Sequence, residues 1–183
     1  MASCFASDRT GLAAIEFALL APIMVFMFFA TVEGSDALAT SRRVTQSVNT
    51  IADLVAQETE IQTAALGDLF VGMEDIIDTG AITVDFRVVS LIVDPDTNDV
   101  VVHWSRDNSG GTPYAAGTVY SGPADVSLLD PTASIIVGEV QYDYTPSLTN
   151  KLLPSVAFNK HATRWPRRTF RVQLCTTPTS CTS

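Results

Sequence analysis

Gly11-Leu12-Ala13-Ala14-Ile15-Glu16-Phe17 opens an apolar run that lasts to Val32 and contains a single charge, Glu16. At about 1.5 Å per residue the run is roughly 31 Å long as a helix, enough to span the hydrocarbon core of a bilayer. A carboxylate inside such a segment costs roughly 2.5–3.5 kcal/mol, so it calls for a partner. The obvious partner is an amine. A cut after Gly11 would supply one, because Leu12 becomes a new N-terminus and Glu16 the fifth residue of the shortened chain.

A short polar leader, Gly at the cut and Glu five residues on together resemble a type IV prepilin. Glu16-Phe17-Ala18-Leu19-Leu20-Ala21-Pro22, followed by the long apolar run and Val32-Glu33-Gly34, resembles the TadE-like pseudopilin family, minor pilins of the Tad (tight adherence) pilus machinery. Softer likeness continues in Ile51-Ala52-Asp53-Leu54-Val55-Ala56-Gln57, Val101-Val102-His103-Trp104-Ser105 and Gly138-Glu139-Val140-Gln141-Tyr142-Asp143-Tyr144-Thr145-Pro146. The resemblance implies a single-pass inner-membrane subunit, N-terminus cytoplasmic and C-terminal domain periplasmic, with no catalytic activity and no cofactor. A prepilin peptidase would process it between Gly11 and Leu12. Glu16, with Phe17 beside it, would serve assembly by pairing with the Leu12 amine of a neighbouring subunit. The alternative is a Glu that simply reaches headgroup water from the helix end, and Glu33 at the other end of the run is expected to sit in the interface. The implied partners are that peptidase, other pilins and pseudopilins of a Tad platform, and membrane lipid. The corresponding division is a leader at 1–11, a transmembrane helix at 12–33, an α+β domain at 34–175 and a Thr/Ser/Pro-rich tail at 176–183.

Two other readings of the N-terminus compete. One is an uncut signal anchor. The other is a secretory signal peptide cut after Ala37-Leu38-Ala39, a legitimate small-x-small site. The second fits poorly, since the apolar run exceeds the usual 7–15 residues of such a region and carries a carboxylate near its start. Charge bias does not decide orientation: Arg9 flanks one side of the run, Arg42 and Arg43 the other.

The chain has 183 residues, 46% of them hydrophobic, which suits one membrane helix and one folded domain. A net charge of −9 argues against nucleic acid as a general partner. The charge is split. After Tyr144 come Lys151, Lys160, Arg164, Arg167, Arg168 and Arg171 and no acid; before it stand twenty acids and five bases, so the two parts carry −15 and +6. Such a split fits either complementary faces between subunits or basic residues paired with acids of the same sheet. Cys4 falls in the leader. Cys175 and Cys181 can close a short disulfide loop in an oxidising compartment, or stand free or metal-bound; without a nearby His they make a poor zinc site.

Residues 12–57 read as one helix. Past the membrane, Val44, Val48, Ile51 and Val55 form one apolar stripe for a sheet to cover, and Pro22 is expected to kink the helix. Thr63 to Asp78 reads as a second helix ended by Gly80. Ile82–Val93 and Val100–Arg106 read as a hairpin around the turn Asp94–Asp99. Asp107–Pro131 is a long loop with a short edge strand near Thr118–Tyr120, and Ser134–Tyr144 a third strand. Thr145–Pro166 reads as irregular and Arg167–Leu174 as a last strand. The sum is an α+β fold: a long N-terminal transmembrane helix continuing into a pilin-like domain with a small antiparallel sheet and a second helix.

Asp94-x-Asp96-x-Asn98 has the opening spacing of a calcium loop, but Asp99 stands where Gly is needed and Ser105 where the bidentate Glu belongs. A turn rich in Asp and Asn accounts for these residues. His103 and His161 are the only histidines, and no nucleophile elbow, HExxH, phosphate loop or dinucleotide fingerprint occurs. Trp165-Pro166-Arg167-Arg168 reads equally as an exposed anchor for a partner and as a solvated basic strand. Against the pseudopilin reading stands a membrane-anchored binding or enzymatic domain that uses the helix only as a tether.

Overall fold

The computed structural model describes residues 10–77, 84–127, 129–146, 155–177 and 179–182. The leader with Cys4 and Arg9, the helix end at Asp78–Gly80, the strand start at Ile82, and Lys151 lie outside the described residues.

Helix α1 runs from Thr10 to Gln57 and passes through Pro22 as one element. Its two halves have different surroundings. From Gly11 to Val32 no residue is buried; from Val44 on, Val44, Val48, Ile51, Ala52, Val55 and Ala56 are all buried against the domain. The stripe legible in the sequence is thus the face that carries the head. After α1 come β1 (Glu60–Gln62), α2 (Thr63–Ile77), β2 (Val84–Val93), β3 (Val100–Asp107), β4 (Ile135–Tyr144), β5 (Val156–Arg164), β6 (Gln173–Thr177) and β7 (Ser180–Cys181).

Strands β3-β2-β4-β5 form an antiparallel sheet in that order. α1 and α2 cover one face, through Val48, Ile51, Leu66, Phe70 and Ile77 against Phe86, Val88, Trp104, Ile136 and Val140. Phe70 and Phe86 stack with ring centroids 6.2 Å apart. Gly138 lets α1 approach closely: a Cβ there would stand 3.1 Å from the Val48 carbonyl oxygen and 3.2 Å from Ala52 Cβ. The loop between β3 and β4 covers the other face, with Tyr114, Tyr120, Ala124 and Leu129 on Val89, Leu91, Val102, Ile135 and Val137. A sheet covered on both sides explains why β2, which alternates from Val84 to Val88, becomes apolar from Val88 to Val93 at every position but Ser90. Ser90 pairs with Trp104 but Leu91 with Val102, so His103 is an extra residue on β3. That bulge turns Val102 to the loop face and Trp104 to the helix face, although two residues apart they would otherwise share one.

Two expectations need correction. Thr145–Pro166 is not irregular throughout, since Val156–Arg164 is strand β5. It is the sheet edge, largely exposed, and it lacks the apolar run that marks a buried strand. The last strand starts at Gln173, not Arg167. The Arg167 N–H instead donates to the Ala56 carbonyl at the end of α1 (2.8 Å), and Trp104 Nε1 donates to the Val172 carbonyl (2.8 Å), so this stretch wraps the helix end. Beyond the expected sheet, the described residues form a second one. β6 pairs in parallel with β1 and antiparallel with β7, which draws part of the Thr/Ser/Pro-rich terminus into structure. Near Thr118–Tyr120 a single bridge joins Val119 to Val101, as an edge.

Candidate membrane-spanning and assembly surface

Every residue from Gly11 to Val32 is exposed except Ala21, which is half-buried. Leu12, Ile15, Phe17, Leu19, Leu20, Ile23, Met24, Phe26, Met27 and Phe28 each leave over half their surface open, and the stretch is apolar all round. A helix with no polar face and no cover from its own chain suits hydrocarbon, not water. It is the one described helix long and apolar enough to cross a membrane.

Glu16 interrupts this surface. Four residues apart on one helix, Leu12 and Glu16 share a face one turn apart, about 6 Å along the axis. Both are exposed, as is Phe17 on the neighbouring face. A Cβ at Gly11 would meet nothing within 4 Å, so the backbone there is open to approach.

The head begins where the apolar run stops. Glu33, which the sequence places at the membrane interface, is buried, with only 6% of its surface exposed. One turn on, Asp36 accepts a hydrogen bond from the Tyr144 hydroxyl (2.8 Å), and Ala37 packs on the core. Burial, then the hydrogen bond to Asp36 and the charges of Asp36 and Glu33, push the Tyr144 phenol up to about 12. Because Tyr144 meets Asp36 while Gly138 meets Val48 and Ala52, β4 runs antiparallel to α1, with its C-terminal end toward the exposed apolar half of the helix.

A second polar cluster lies under the loop on the far face of the sheet. Alternation along β4 turns Glu139 to that side, where it is buried and accepts hydrogen bonds from Tyr114 (2.9 Å) and Tyr120 hydroxyls. Burial first, and then Glu139, raise both phenols, so they remain protonated donors. Asp85, Arg87, Lys160 and His161 line a cleft of about 440 Å³ beside them, with Arg87 paired to Asp85. Both carboxylate oxygens of Glu139 are taken, so the cluster pins the loop to the sheet. Sequence reasoning missed this role. The available signal was an acid between Val137 and Val140, next to the apolar run that opens the strand.

The remaining singled-out residues are placed as follows. Asp94 Oδ1 accepts the Asp96 and Thr97 N–H groups (2.9 and 3.3 Å), and Asn98 takes a positive φ of 59°, so the turn uses these residues for its own backbone. His103 is buried in the bulge, with Nδ1 3.4 Å from Ser90 Oγ. Cys175 and Cys181 face each other across β6–β7 and are joined as a disulfide, with Glu60 alongside. Of the basic segment, Arg167 pairs with Asp53 and Arg164 donates to Asn49 (2.6 Å), both on α1 rather than on a strand.

No curated protein and no solved structure matches the chain. The family model described as TadE-like protein matches residues 11–53, which covers the apolar run and the first turns of the stripe that carries the head. Over that stretch, and not beyond it, the chain is similar to the TadE-like protein family.

Proposed function

We propose that the protein is a minor pseudopilin of a Tad-type pilus system, cut by a prepilin peptidase between Gly11 and Leu12 and acting through membrane helix packing. The mature chain keeps the helix in the inner membrane and the head in the periplasm. Glu16 pairs with the Leu12 amine of a neighbouring subunit, which fixes the axial register of the two helices. No residue is assigned a catalytic role.

The observation that carries this reading is the continuity of α1. Its exposed apolar half passes into the head without a linker, since burial begins at Glu33 and Asp36 is bound by Tyr144. A tether needs only an attachment, and a flexible joint serves it. A rigid joint transmits the position of the membrane helix to the head, as an assembling subunit requires. The same contacts count against cleavage after Ala39, which strips Glu33, Asp36 and Ala37 from a head that packs on them. The test is Glu16→Leu. The tether reading expects full function from it. The pseudopilin reading expects normal membrane insertion and loss of pili.

A further inference from the structure

Two unpartnered surfaces of opposite character flank the far end of α1. One is a shallow basic and aromatic hollow of about 600 Å³, lined by Trp165, Pro166, Arg167, Arg168 and Phe170. Trp165 is 45% exposed and Phe170 75%. Arg167 is held by Asp53, but Arg168 is exposed and makes no ion pair or hydrogen bond to a described residue. Asp130 at the rim is turned toward Thr132, whose N–H and hydroxyl it accepts at 2.7 and 2.6 Å. The other surface is a cleft of about 470 Å³ with Leu54, Ile61 and Leu69 in its wall and Glu58, Glu60 and Asp68 around it. These three carboxylates are exposed and paired with no cation among the described residues.

Both surfaces are tied to the last turns of α1. The hollow is fixed to α1 at Asp53 and Ala56 by Arg167, and the cleft is built on Leu54, Gln57 and Glu58 of the same turn. Leu54 and Ala56 are about 200° apart round the helix axis, so the two surfaces lie on different flanks at one height. That height is roughly 36 Å along the helix beyond Val32, too far for either surface to touch the bilayer holding the helix. Copies anchored in one membrane keep their heads level. Two such copies can therefore bring hollow to cleft without either helix leaving the bilayer.

We propose that the Trp165–Phe170 hollow of one copy docks into the Glu58–Glu60–Asp68 cleft of a second copy. Trp165 and Phe170 meet the apolar wall of Leu54, Ile61 and Leu69, while Arg168 meets the carboxylates. The contact is heterologous, so each copy offers a hollow on one side and a cleft on the other, and a row of subunits follows. The basic end and acidic remainder of the chain are then complementary between subunits as well as within one. This inference rests on membrane anchoring and not on a cut after Gly11, so it is measurable on the uncut chain.

The experiment places a photo-crosslinking amino acid at Phe170 of the full-length chain in lipid nanodiscs. The expected product is a dimer joined within Gln57–Leu69. Arg168→Glu reduces it at least tenfold, as does the double change Glu58→Lys with Asp68→Lys, and mixing the two variants restores it. All three positions are exposed, so the melting temperature stays that of the wild type. The proposal is overturned by a crosslink that maps elsewhere, by one that Arg168→Glu leaves undiminished, by failure of the mixed variants to restore it, or by a monomer throughout.

Discussion

Replacing Gly138 by alanine tests whether α1 lies on the sheet as closely as the structure has it. The new methyl would sit 3.1 Å from the Val48 carbonyl oxygen, 3.2 Å from Val48 Cγ2 and 3.2 Å from Ala52 Cβ. A backbone oxygen in mid-helix cannot rotate aside, so helix and sheet must separate by a few tenths of an ångström. Overpacking of this kind costs about 1–3 kcal/mol. Losing a glycine from a strand interior returns roughly 0.5–1 kcal/mol. The net expectation is destabilisation by about 1 kcal/mol, or roughly 2–4 °C in melting temperature for a domain of this size. The assay is thermal unfolding in detergent followed by near-ultraviolet circular dichroism, which reports the buried Trp104. Gly138→Val extends the series and should cost more. An unchanged or raised melting temperature for Gly138→Ala would refute the close approach, and with it the seating of α1.

Three further expectations follow from the polar contacts. All four tyrosines have phenols held above their ordinary value, Tyr144 to about 12, each chiefly by burial. The folded state therefore holds protons that the unfolded state gives up near pH 10, so stability is full below pH 10 and falls as pH rises toward 12. Phenolate absorbance should appear in one cooperative step with unfolding, and a gradual titration centred at pH 10 would contradict this. Glu139→Gln, which weakens the acceptor shared by Tyr114 and Tyr120, should cost about 1–3 kcal/mol and speed hydrogen exchange in the β3–β4 loop; unchanged exchange would remove the pinning role. Cys175 and Cys181 should resist thiol labelling in native, unreduced protein, and reduction should loosen β7 at a cost of at most about 3 kcal/mol because the closed loop is short; free thiols at both positions would contradict the pairing.

The parts of the fold legible in the sequence are those set by local pattern. The Val44–Val48–Ile51–Val55 stripe, the second helix from Thr63, the hairpin around Asp94 and the strand ending at Tyr144 each depend on spacing within one segment. What escaped depends on distant contacts. β5 is recognisable only by its pairing with β4, since Asn159, Lys160 and His161 put three polar residues in a row and break any alternation. β1 is three residues long and exists because β6 lies beside it. The alternation that suggested a strand at Arg167 belongs to a segment consumed in closing the end of α1. At the site, Leu12, Glu16 and Phe17 were visible because a charge in an apolar run is conspicuous at any distance. Glu139 was not, because its role is set by Tyr114 and Tyr120, which fold back across the sheet from a loop. Glu33 was placed in the membrane interface, where the structure has it covered by the head.

An apolar helix that is a working part of the mature protein, and not a discarded signal or a mere anchor, must survive maturation with Glu16 in place. The most direct measurement is mass spectrometry of the N-terminal peptide of the protein isolated from membranes that contain the peptidase. The expected chain begins at Leu12 and retains Glu16 as its fifth residue. A chain that begins at Thr40, with the helix gone, or one that keeps residues 1–11 intact, would contradict it.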